Sequence, residues 1–454
     1  MSERTVVIDG GARGHAIARQ HLEDPEVSEA VVSPGNPGMR RIAELAGYPL
    51  TVDNRTTLTV AETVLQVARD GDIIEIAQDD AAACGMANLL GERGHLVCGP
   101  SREASRIEWH KGFAREEMHR LGLPSPEFKL FTLGETDEAT AYARDIWQRY
   151  PGRAVWFKAA GLCGGKGALK CRNEAEITIA LTELVELGDA GQEFVVELGL
   201  EGPEASLFSL VDGTTFRSFR TAQDYKRAYD GDRGGQTGGM GAFAPSDLSA
   251  EKIRYVEEYI IAPLLEGLRE RGTPFVGTLY TGIIDDPELG IQIIEFNARP
   301  GDPEAQALVP GLKNYHQAVR AAAEGRLIDV PLEEDDRCRV YVVGAAKGYP
   351  EDGSAAIGKR VFGIEDLIER PGIEVFSAGL ALDDKGNFVA GTGGRLFGVL
   401  AEGRTVMEAR GRVMEAMRGV AVAGGHLHFR RQIALDCLEN TENGRIAVSS
   451  YPSG

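Results

Sequence analysis

The sequence predicts an α/β protein of several domains whose N-terminal part forms a mostly parallel sheet. Its 454 residues indicate two to four domains, because one domain usually has roughly 100–200 residues. In the N-terminal part, short apolar runs alternate with glycine turns and helical patterns, and this alternation is typical of βαβ units. Such a sheet binds its ligands at the carboxyl ends of its strands, where the glycine turns lie.

The composition excludes several classes of protein. Hydrophobic residues make up 43% and charged residues 26% of the chain, which is typical of a globular protein and excludes a largely disordered one. The formal net charge of −20 argues against a broad basic surface for nucleic acid, although a local basic pocket can still bind phosphate. No run of 18 apolar residues occurs, so we expect no membrane span.

The cysteines and the N-terminus indicate where the protein works. The six cysteines form no C-x-x-C pair and have no metal-type spacing, and the first residues are typical of a strand rather than a signal peptide. We therefore expect free thiols and a cytoplasmic protein. The eight histidines are scattered, and we assign none of them to a metal.

The elements of the N-terminal part follow from its apolar runs. The first run predicts a strand at residues 5–8, which leads through a glycine turn into a helix at residues 16–21. Further strands are predicted at residues 30–33, 72–76 and 96–98, and a second helix at about residues 81–91. The turns at residues 10–15 and 34–38 both follow strands and therefore lie at the predicted ligand edge. The first turn lacks the full glycine spacing of a dinucleotide site.

The rest of the chain has a different pattern, which begins with a charged amphipathic helix at residues 106–121. The elements predicted after it are strands at 154–158, 193–197, 204–211, 214–220, 277–284 and 292–296, and helices at 173–187 and about 251–271. An acidic run near residues 328–336 predicts a domain boundary. The last part contains short strands and a helix at residues 406–419.

The glycine loop that follows Lys158 is a candidate phosphate-binding loop. It contains Gly161, Gly164, Gly165, Lys166 and Gly167. Glycines let backbone N–H groups approach phosphate oxygens closely, and the lysines add positive charge. The loop is not of the Walker type, because no Gly-Lys-Ser/Thr opens a helix. A mobile surface turn is the alternative, and two lysines in so acidic a chain argue against it.

A second motif suits a divalent metal ion. Glu295 and Asn297 lie two residues apart on a predicted strand, so their side chains point to the same face. Carboxylate and amide oxygens suit Mg²⁺, and Arg299 on the same parity offers a fork to an acyl or phosphoryl group. The alternative is an exposed edge strand that runs into a Pro-Gly turn.

Two further segments are less specific. Lys226 and Arg227 precede a second glycine loop at residues 234–241, and a loop of this length is more often functional than a solvated connection. Residues 392–397, taken alone, favour a hairpin turn.

At these motifs the sequence resembles the phosphoribosylamine–glycine ligase family, also called glycinamide ribonucleotide synthetases, of the ATP-grasp superfamily. The resemblance runs from about residue 5 to 433 and is most specific at residues 237–242 and 295–304. It implies an α/β ATP-grasp fold with an α+β lid. The implied units are an N-terminal parallel-sheet domain (1–104), an ATP-grasp domain (105–330) with the lid at about 125–195 and a small mixed C-terminal domain (331–435). The polar composition of residues 436–454 predicts a weakly ordered tail.

The resemblance also implies roles for the residues that match the family's motifs. The positions implied to bind ATP are Lys111, Lys158, Gly164, Gly165, Lys166, Gly167, Glu197 and Glu204. Glu295 and Asn297 match the ligands of Mg²⁺ or Mn²⁺. Lys226, Arg299 and Asp302 match positions near the acyl phosphate and the amino acid. The positions implied to bind substrate are Gly11, Pro34, Gly35, Asn36, Asp79 and Asp224.

The implied reaction joins glycine to 5-phosphoribosylamine in de novo purine biosynthesis. Glycine would attack the γ-phosphate of ATP to form glycyl phosphate, and the amine would then displace phosphate and give glycinamide ribonucleotide. This route needs no side-chain nucleophile, which agrees with a sequence without a Ser-His or Cys-His signature. We expect a monomer or homodimer that binds these small molecules and neither nucleic acid nor membrane.

The sequence departs from the family's usual pattern near the expected amine site. The family usually has Glu at Gly14, Gly-Pro-Glu at residues 77–79, His at Tyr225 and Arg-Asp-Ile-Gly-Trp-Arg at residues 431–436. A divergent ligase for another amino acid or amine is therefore an alternative. A nucleotide-binding regulatory protein without turnover is a second alternative, against which the intact Lys158, Glu295 and Asn297 argue.

Overall fold

The computed structural model describes residues 3–163, 167–435 and 437, and its first unit is built on a parallel sheet. The strands of this sheet are β1 (Glu3–Ile8), β2 (Val27–Ser33), β3 (Leu50–Val52), β4 (Ile73–Ile76) and β5 (Leu96–Cys98). The helices around it are α1 (Ala12–His21), α2 (Pro37–Ala46), α3 (Asp79–Ala83) and α4 (Met86–Glu92), with a 3-10 turn at Ala61–Gln66. The strand order β3-β2-β1-β4-β5 reverses between β1 and β4, and ligands of parallel sheets bind at such a switch point.

A lid with an antiparallel sheet follows two connecting helices, α5 (Arg106–Trp109) and α6 (Lys111–Arg120). Its strands are β6 (Phe128–Thr132), β7 (Val155–Ala159), β8 (Ala168–Cys171) and β9 (Glu193–Leu198), in the order β6-β9-β7-β8. Its helices are α7 (Thr136–Arg149) and α8 (Glu174–Glu186), and a 3-10 turn lies at Gly188–Gly191. The stacked rings of Phe157 and Phe194, whose centroids are 5.9 Å apart, lie in the core of the lid.

A large antiparallel sheet and three two-stranded sheets form the rest of the described structure. The first strands of this part are β10 (Glu204–Asp212), β11 (Phe216–Asp224), β12 (Arg227–Tyr229), β13 (Arg233–Gln236), β14 (Gly241–Ala244), β15 (Val276–Asp286) and β16 (Gly290–Asn297). The later strands are β17 (Cys338–Ala346), β18 (Val361–Phe362), β19 (Ile373–Ser377), β20 (Leu380–Leu382), β21 (Phe388–Ala390), β22 (Arg395–Gly403), β23 (Ala421–Val422) and β24 (Leu427–His428). The main path of the large sheet runs β16-β15-β10-β11-β14-β17-β22-β19, and β24 pairs with β17 beside it. The pairs β12-β13, β18-β23 and β20-β21 form the three separate two-stranded sheets.

The helices of this part pack on the large sheet. They are α9 (Ala250–Val256), α10 (Ala262–Glu270), α11 (Glu304–Leu308), α12 (Tyr315–Ala323), α13 (Ile364–Ile368) and α14 (Val406–Arg418). Short 3-10 turns lie at Val309–Gly311, Leu327–Asp329 and Ser354–Ala356. None of the helices in the described ranges is long and apolar enough to cross a bilayer.

The sheet continues across the predicted boundary at residue 330. Strand β14 pairs with β17 in an antiparallel register that places Gly241 opposite Val342 and Ala242 opposite Tyr341. The C-terminal strands therefore share one hydrogen-bonded sheet with the strands that carry Asp224 and Glu295. The division into domains at residues 104 and 330 remains our proposal.

Four predicted helices differ from the structure. The helix predicted at residues 16–21 begins at Ala12, so residues 12–15 of the predicted glycine turn are helical. The helix at residues 81–91 is two helices, because Gly85 adopts a left-handed conformation (φ 84°) between them. The helix at residues 106–121 breaks at His110, whose backbone is extended and whose Nδ1 accepts a hydrogen bond from the Phe113 N–H at 3.0 Å. The helix at residues 251–271 contains a π-helical turn, Glu257–Ile261, just before Pro263, which has no N–H for a helical hydrogen bond.

The first unit contacts α12 through a buried polar network. His21 Nε2 lies 2.9 Å from Glu75 Oε2, and the Tyr315 hydroxyl donates to Glu75 Oε1 at 2.7 Å. His316 approaches His21 through their Nδ1 atoms at 2.9 Å and Glu3 through its Nε2 at 2.8 Å. Because buried polar groups need partners, this network fixes the parallel sheet against the large one.

Candidate active site

A cavity of about 160 Å³ lies between the lid and the large sheet. Strands β7 and β9 of the lid form one wall, and α6 and β16 form the other. Apolar walls are provided by Ile107, Met118, Val195 and Phe296. The charged side chains that line it are Asp79, Glu108, Lys111, Arg115, Lys158, Glu197, Glu295 and Arg299. A site of this composition suits a ligand with an apolar part and a strongly charged part.

A buried ion cluster closes one side of the cavity. Glu197 receives a hydrogen bond from Arg115 Nε at 2.8 Å and forms an ion pair with Lys158. Arg115 also donates to the carbonyl oxygens of Ile293 and Ile294, at 3.2 and 2.8 Å, and so ties the lid to β16. Burial lowers the pKa of Lys158, although the charge of Glu197 opposes the shift. Lys158 therefore places a positive charge in a poorly solvated part of the cavity, beside Glu197.

Glu295 and Asn297 lie together on β16, as the strand parity predicts. Asn297 Nδ2 donates to Glu295 Oε1 at 3.3 Å. Burial raises the pKa of Glu295, but Lys226, Lys111 and Lys158 outweigh burial and hold it at about 2. Three lysines from three different segments therefore surround one ionised carboxylate.

The residues at this point fit a divalent ion whose other ligands come from a substrate. Within residues 3–163, 167–435 and 437, no three His, Cys, Asp or Glu side chains are grouped so as to hold a metal by themselves. Mg²⁺ commonly takes one or two carboxylates and completes its shell with water and phosphate oxygens. The oxygens of Glu295 and Asn297 supply such a partial set of ligands.

Arg299 is held at the opposite end of the cavity by Glu108. Arg299 Nη2 lies 2.9 Å from Glu108 Oε1, and Glu108 Oε2 accepts from the Ala298 N–H at 2.7 Å. Burial raises the pKa of Glu108 to about 7, although Arg299 opposes the shift. The Nε atom of Arg299 is buried and has no protein partner within the described residues. Arg299 thus has a donor left for a ligand.

A second group of buried carboxylates surrounds Lys226 near this cavity. Lys226 Nζ lies 3.9 Å from Asp224 Oδ2. Burial raises the pKa of Asp224, and the charges of Glu304 and Glu204 raise it further, against the effect of Lys226. The pKa of Glu304 is also raised by burial. These acids exceed the one cation beside them, so the group favours a bound cation such as an ammonium.

Asp302 contacts the C-terminal part of the chain. Its Oδ2 lies 2.5 Å from Arg395 Nη2, and its Oδ1 accepts from Gln306 Nε2 at 2.7 Å. Arg395 Nη1 donates to the Gly238 carbonyl at 2.6 Å. A hairpin turn was expected at residues 392–397. This segment also places the guanidinium of Arg395, at the start of β22, beside Asp302.

The turn at residues 34–38 is engaged mainly with the protein itself. Asn36 caps α2 by accepting from the Met39 N–H at 3.2 Å, and its Oδ1 also accepts from Ser377 Oγ at 2.6 Å. Its Nδ2 donates to the Ala378 carbonyl at 3.2 Å. A Cβ at Gly35 would lie 2.8 Å from Val52 Cγ1, so this position has no room for a side chain. A substrate that binds at Pro34, Gly35 and Asn36 would therefore contact mainly backbone groups.

The departure at Gly14 is explained by Asp9. A Cβ at position 14 would lie 2.5 Å from Asp9 Cβ, which is closer than non-bonded carbon atoms approach. Asp9 in turn pairs with Arg13, with 2.5 Å between its Oδ2 and Arg13 Nη2, and accepts from the Gly11 N–H at 2.5 Å. A carboxylate thus remains at the ligand edge, but it comes from position 9.

Two of the segments that depart from the family pattern, Tyr225 and residues 431–436, contact each other. The Tyr225 hydroxyl accepts from the Ala434 N–H at 2.9 Å, and the guanidinium of Arg430 lies 5.1 Å from the Tyr225 ring centroid. Tyr225 is buried and is not among the residues that line the cavity. It packs the C-terminal segment against the chain that follows β11.

Several predicted residues lie elsewhere or outside the described part. Gly164, Gly165 and Lys166 are outside the described residues. Gly167 is described, and its carbonyl accepts from the Ala159 N–H at 2.8 Å. Glu204 begins β10 and is exposed near Asp224 and Lys226, outside the cavity lining.

Four charged residues at the site were not among the predicted site residues: Asp9, Arg13, Glu108 and Arg115. Arg13 has a signal in the sequence, because it follows the first strand within a glycine turn. Glu108 and Arg115 lie on helices, where a charged residue is usually solvated, so only the tertiary structure distinguishes them.

The lid, the large antiparallel sheet and the charged cavity between them define an ATP-grasp protein. Family models of phosphoribosylglycinamide synthetase match its N domain at residues 3–108, its ATP-grasp (A) domain at 109–305 and its C domain at 339–436. The chain belongs to the phosphoribosylamine–glycine ligase family, as its motifs predict.

Relatives and solved structures agree with this assignment. The chain is 35% identical over 440 residues to a phosphoribosylamine–glycine ligase of Chlorobaculum tepidum, covering 96% of this chain and 100% of the relative. It is 35% identical to a chloroplastic one of Arabidopsis thaliana, covering 95% and 79%. A crystal structure of phosphoribosylamine–glycine ligase from Thermotoga maritima superposes with a TM-score of 0.78 at 28% identity, covering 95% of this chain and 100% of that one.

A more distant structure shares the fold alone. The biotin carboxylase domain of a Hydrogenobacter thermophilus 2-oxoglutarate carboxylase, solved with MgADP and bicarbonate, has a TM-score of 0.67 at 17% identity and covers 97% of this chain. The predicted fold class is confirmed.

Proposed function

We propose that this enzyme uses ATP to join glycine to 5-phosphoribosylamine and releases glycinamide ribonucleotide, ADP and phosphate, a step of de novo purine biosynthesis. The observation that carries the proposal is the ionised Glu295 on β16, which is surrounded by Lys111, Lys158 and Lys226 in a chain of net charge −20. Cations so concentrated in an acidic protein suit the phosphates of a nucleotide. The family membership supports the named substrates.

ATP binds in the cavity beneath the lid. Lys111 and Lys158 neutralise phosphate charge, and we assign Gly164, Gly165, Lys166 and Gly167 to phosphate binding because they match the family's motif. Glu197 lies on the adenine side, and Glu204 at the start of β10 contacts the ribose. The apolar walls formed by Met118 and Phe296 suit a purine base.

Glu295 and Asn297 hold the Mg²⁺ or Mn²⁺ that accompanies ATP. The metal, when bound, neutralises charge on the transferred phosphoryl group. The low pKa of Glu295 keeps its carboxylate charged at every physiological pH, so its oxygens remain available as ligands.

The first step is the activation of glycine. One carboxylate oxygen of glycine forms a bond to the γ-phosphorus, the bond from that phosphorus to the bridging oxygen breaks, and ADP leaves. Arg299 and Lys226 stabilise the charge that the phosphoryl oxygens carry in the transition state. Asp224 and Glu304 receive the ammonium group of glycine, which explains buried acids beside Lys226.

The second step forms the amide. The nitrogen of 5-phosphoribosylamine bonds to the acyl carbon of glycyl phosphate, the bond from that carbon to the phosphate oxygen breaks, and inorganic phosphate leaves while the nitrogen loses a proton. Gly11, Pro34, Gly35, Asn36 and Asp79 line the edge from which the amine approaches. Asp302 lies between this edge and the phosphates, where Arg395 holds it. The buried thiols of Cys98, Cys171 and Cys338 suit the cytoplasm, where we place this reaction.

The test is ADP release with ATP, Mg²⁺, glycine and freshly generated 5-phosphoribosylamine, with each component omitted in turn. We expect turnover only with all of them, and an amide product of the mass of glycinamide ribonucleotide. If ADP is released with a different amine or amino acid instead, the assignment of the ATP site holds and the assignment of the substrates is wrong. That second candidate is favoured by one observation, the departure at Gly14, beside which the carboxylate at the amine edge comes from Asp9. ATP binding without turnover on a panel of amines and amino acids would indicate a regulatory protein.

A further inference from the structure

Arg13 connects three separate segments at the ligand edge of the first unit. It is 5% exposed, and its Nε donates to Asp9 Oδ2 at 2.7 Å at the end of β1. Its Nη1 donates to the Pro300 carbonyl at 2.9 Å, and its Nη2 donates to Gln78 Oε1 after β4. One planar guanidinium therefore joins the switch point of the parallel sheet to the loop that follows β16.

That loop carries two residues of the proposed acyl-transfer site. Pro300 follows Arg299 and stands two positions before Asp302. Burial raises the pKa of Asp302, while Arg395 and Arg13 lower it, and the net shift is downward. Arg13 thus acts on the loop both through a hydrogen bond and through its charge.

Asp9 orients Arg13. Its carboxylate accepts from Arg13 Nε and from the Gly11 N–H, so it fixes the guanidinium relative to the start of α1. Asp9 has this place because Gly14 has no side chain, since a Cβ there would lie 2.5 Å from Asp9 Cβ. Gly14 and Asp9 therefore belong to one arrangement.

We propose that Asp9 and Arg13 are positioning residues for amide formation: they hold the loop of Arg299 and Asp302 at the distance from the first unit at which the amine of the second substrate meets the acyl group. The inference rests on the proposed function. Arg13 donates to Asp9, Gln78 and Pro300, and neither Asp9 nor Arg13 lines the cavity, so we expect nucleotide binding to depend little on the pair.

The first experiment compares full-length Asp9→Gly and Arg13→Lys with the wild type, in steady-state kinetics for each of the three substrates and in nucleotide binding. We expect kcat/KM for 5-phosphoribosylamine to fall by about 10- to 100-fold in both variants, as for lost charge-assisted hydrogen bonds. Lysine keeps the charge but cannot reach three partners, so it should not rescue. Arg19→Lys on the same helix, where Arg19 pairs with Glu23, is the control and should match the wild type.

The Kd for ATP separates positioning from a general loss of the site. It should stay near the wild-type value in Asp9→Gly and Arg13→Lys, whereas the Tm should fall in both because each change disrupts a buried ion pair. A parallel rise in the Kd for ATP and in all three KM values would overturn the proposal. If the wild type itself forms no amide from these substrates, the proposed function fails, and this inference fails with it.

A pair of double variants tests whether Arg13 needs a carboxylate partner or only a side chain that fills the space left by Asp9. In the Asp9→Gly background, Gly14→Glu returns a carboxylate from position 14, whereas Gly14→Ala returns bulk alone. We expect at least tenfold higher kcat/KM for the amine in Asp9→Gly/Gly14→Glu than in Asp9→Gly/Gly14→Ala, since a charge-assisted hydrogen bond is worth about that factor. Equal activity in the two double variants would show that Arg13 needs no carboxylate.

Discussion

At the scale of single residues, the site is defined by charges that tertiary contacts shift. Glu295 is ionised because three lysines outweigh its burial, whereas Glu108 has a raised pKa because burial outweighs Arg299. The sequence places Glu295 and Asn297 on one face through strand parity alone. It cannot place Arg299 against Glu108, since these residues are far apart in the chain and meet only in the folded protein.

Removal of the Glu295 carboxylate tests the metal assignment. We expect Glu295→Ala to lower kcat by at least about 100-fold, because a metal ligand stabilises charge in the transition state. The Tm without ligands should change little, and the Tm increase with ADP should lose its dependence on Mg²⁺. Glu288→Ala on the exposed turn before β16 is the control. Undiminished ADP formation by Glu295→Ala would contradict the assignment.

Glu108 predicts a pH dependence. Its raised pKa of about 7 means that it takes up a proton as the pH falls through neutrality. The protonated carboxyl no longer pairs with Arg299 as a charge, so we expect kcat/KM for glycine to decrease below pH about 7. Glu108→Gln should be less active, and its acidic limb should be less steep than in the wild type, because the raised pKa of Asp224 leaves one other group to titrate at the glycine site. A limb of unchanged steepness and midpoint in Glu108→Gln would assign the titration to another group.

At the scale of elements, the predictions were correct where a segment has one hydrophobic periodicity throughout, either that of a strand or that of a helix. The strand at residues 96–98 and most of the lid agree with the structure. The helix at residues 106–121 was wrong in one respect, since its break at His110 places Lys111 at the start of α6 beside the cavity. The sequence does not distinguish a His110 that caps a helix from one with a solvated side chain. The local pattern therefore cannot locate the break.

The end of the lid loop is tightly packed, and this predicts the effect of a small substitution. A Cβ at Gly167 would lie 2.3 Å from Cys163 Sγ and 2.9 Å from Ala159 Cβ. Gly167→Ala should therefore displace the loop and raise the Kd for ATP by about tenfold, which corresponds to moderate overpacking. Gly134→Ala in the same lid, where the nearest atom would be 3.7 Å away, should bind ATP normally. Cys163→Gly added to Gly167→Ala should recover part of the affinity; no recovery would contradict the steric explanation.

At the scale of the whole molecule, one sheet runs from β16 to β19 through the site-bearing strands. Composition and an acidic run suggest a boundary near residue 330, but hydrogen bonds between β14 and β17 cross it. The Asp302–Arg395 ion pair crosses it as well. Pairings between distant segments leave no periodic trace in a sequence, which is why the sheet's continuity could not be predicted.

A truncation at residue 330 tests this continuity. The shortened chain would expose the edge of β14 and the apolar face that packs against Val340 and Val342. Because exposed strand edges promote association, we expect a largely aggregated product in size-exclusion chromatography and no ADP release. A control that ends at residue 437 should keep wild-type activity. A monomeric, active 1–330 fragment would mean that the C-terminal strands are an independent unit.

The close approach of position 14 to Asp9 also restricts the routes by which this sequence can have arisen. A side chain at 14, as in the usual family pattern, and an aspartate at 9 exclude each other sterically. Exchange of the two residues one at a time would therefore pass either through this clash or through a chain in which neither position has a side chain beside Arg13.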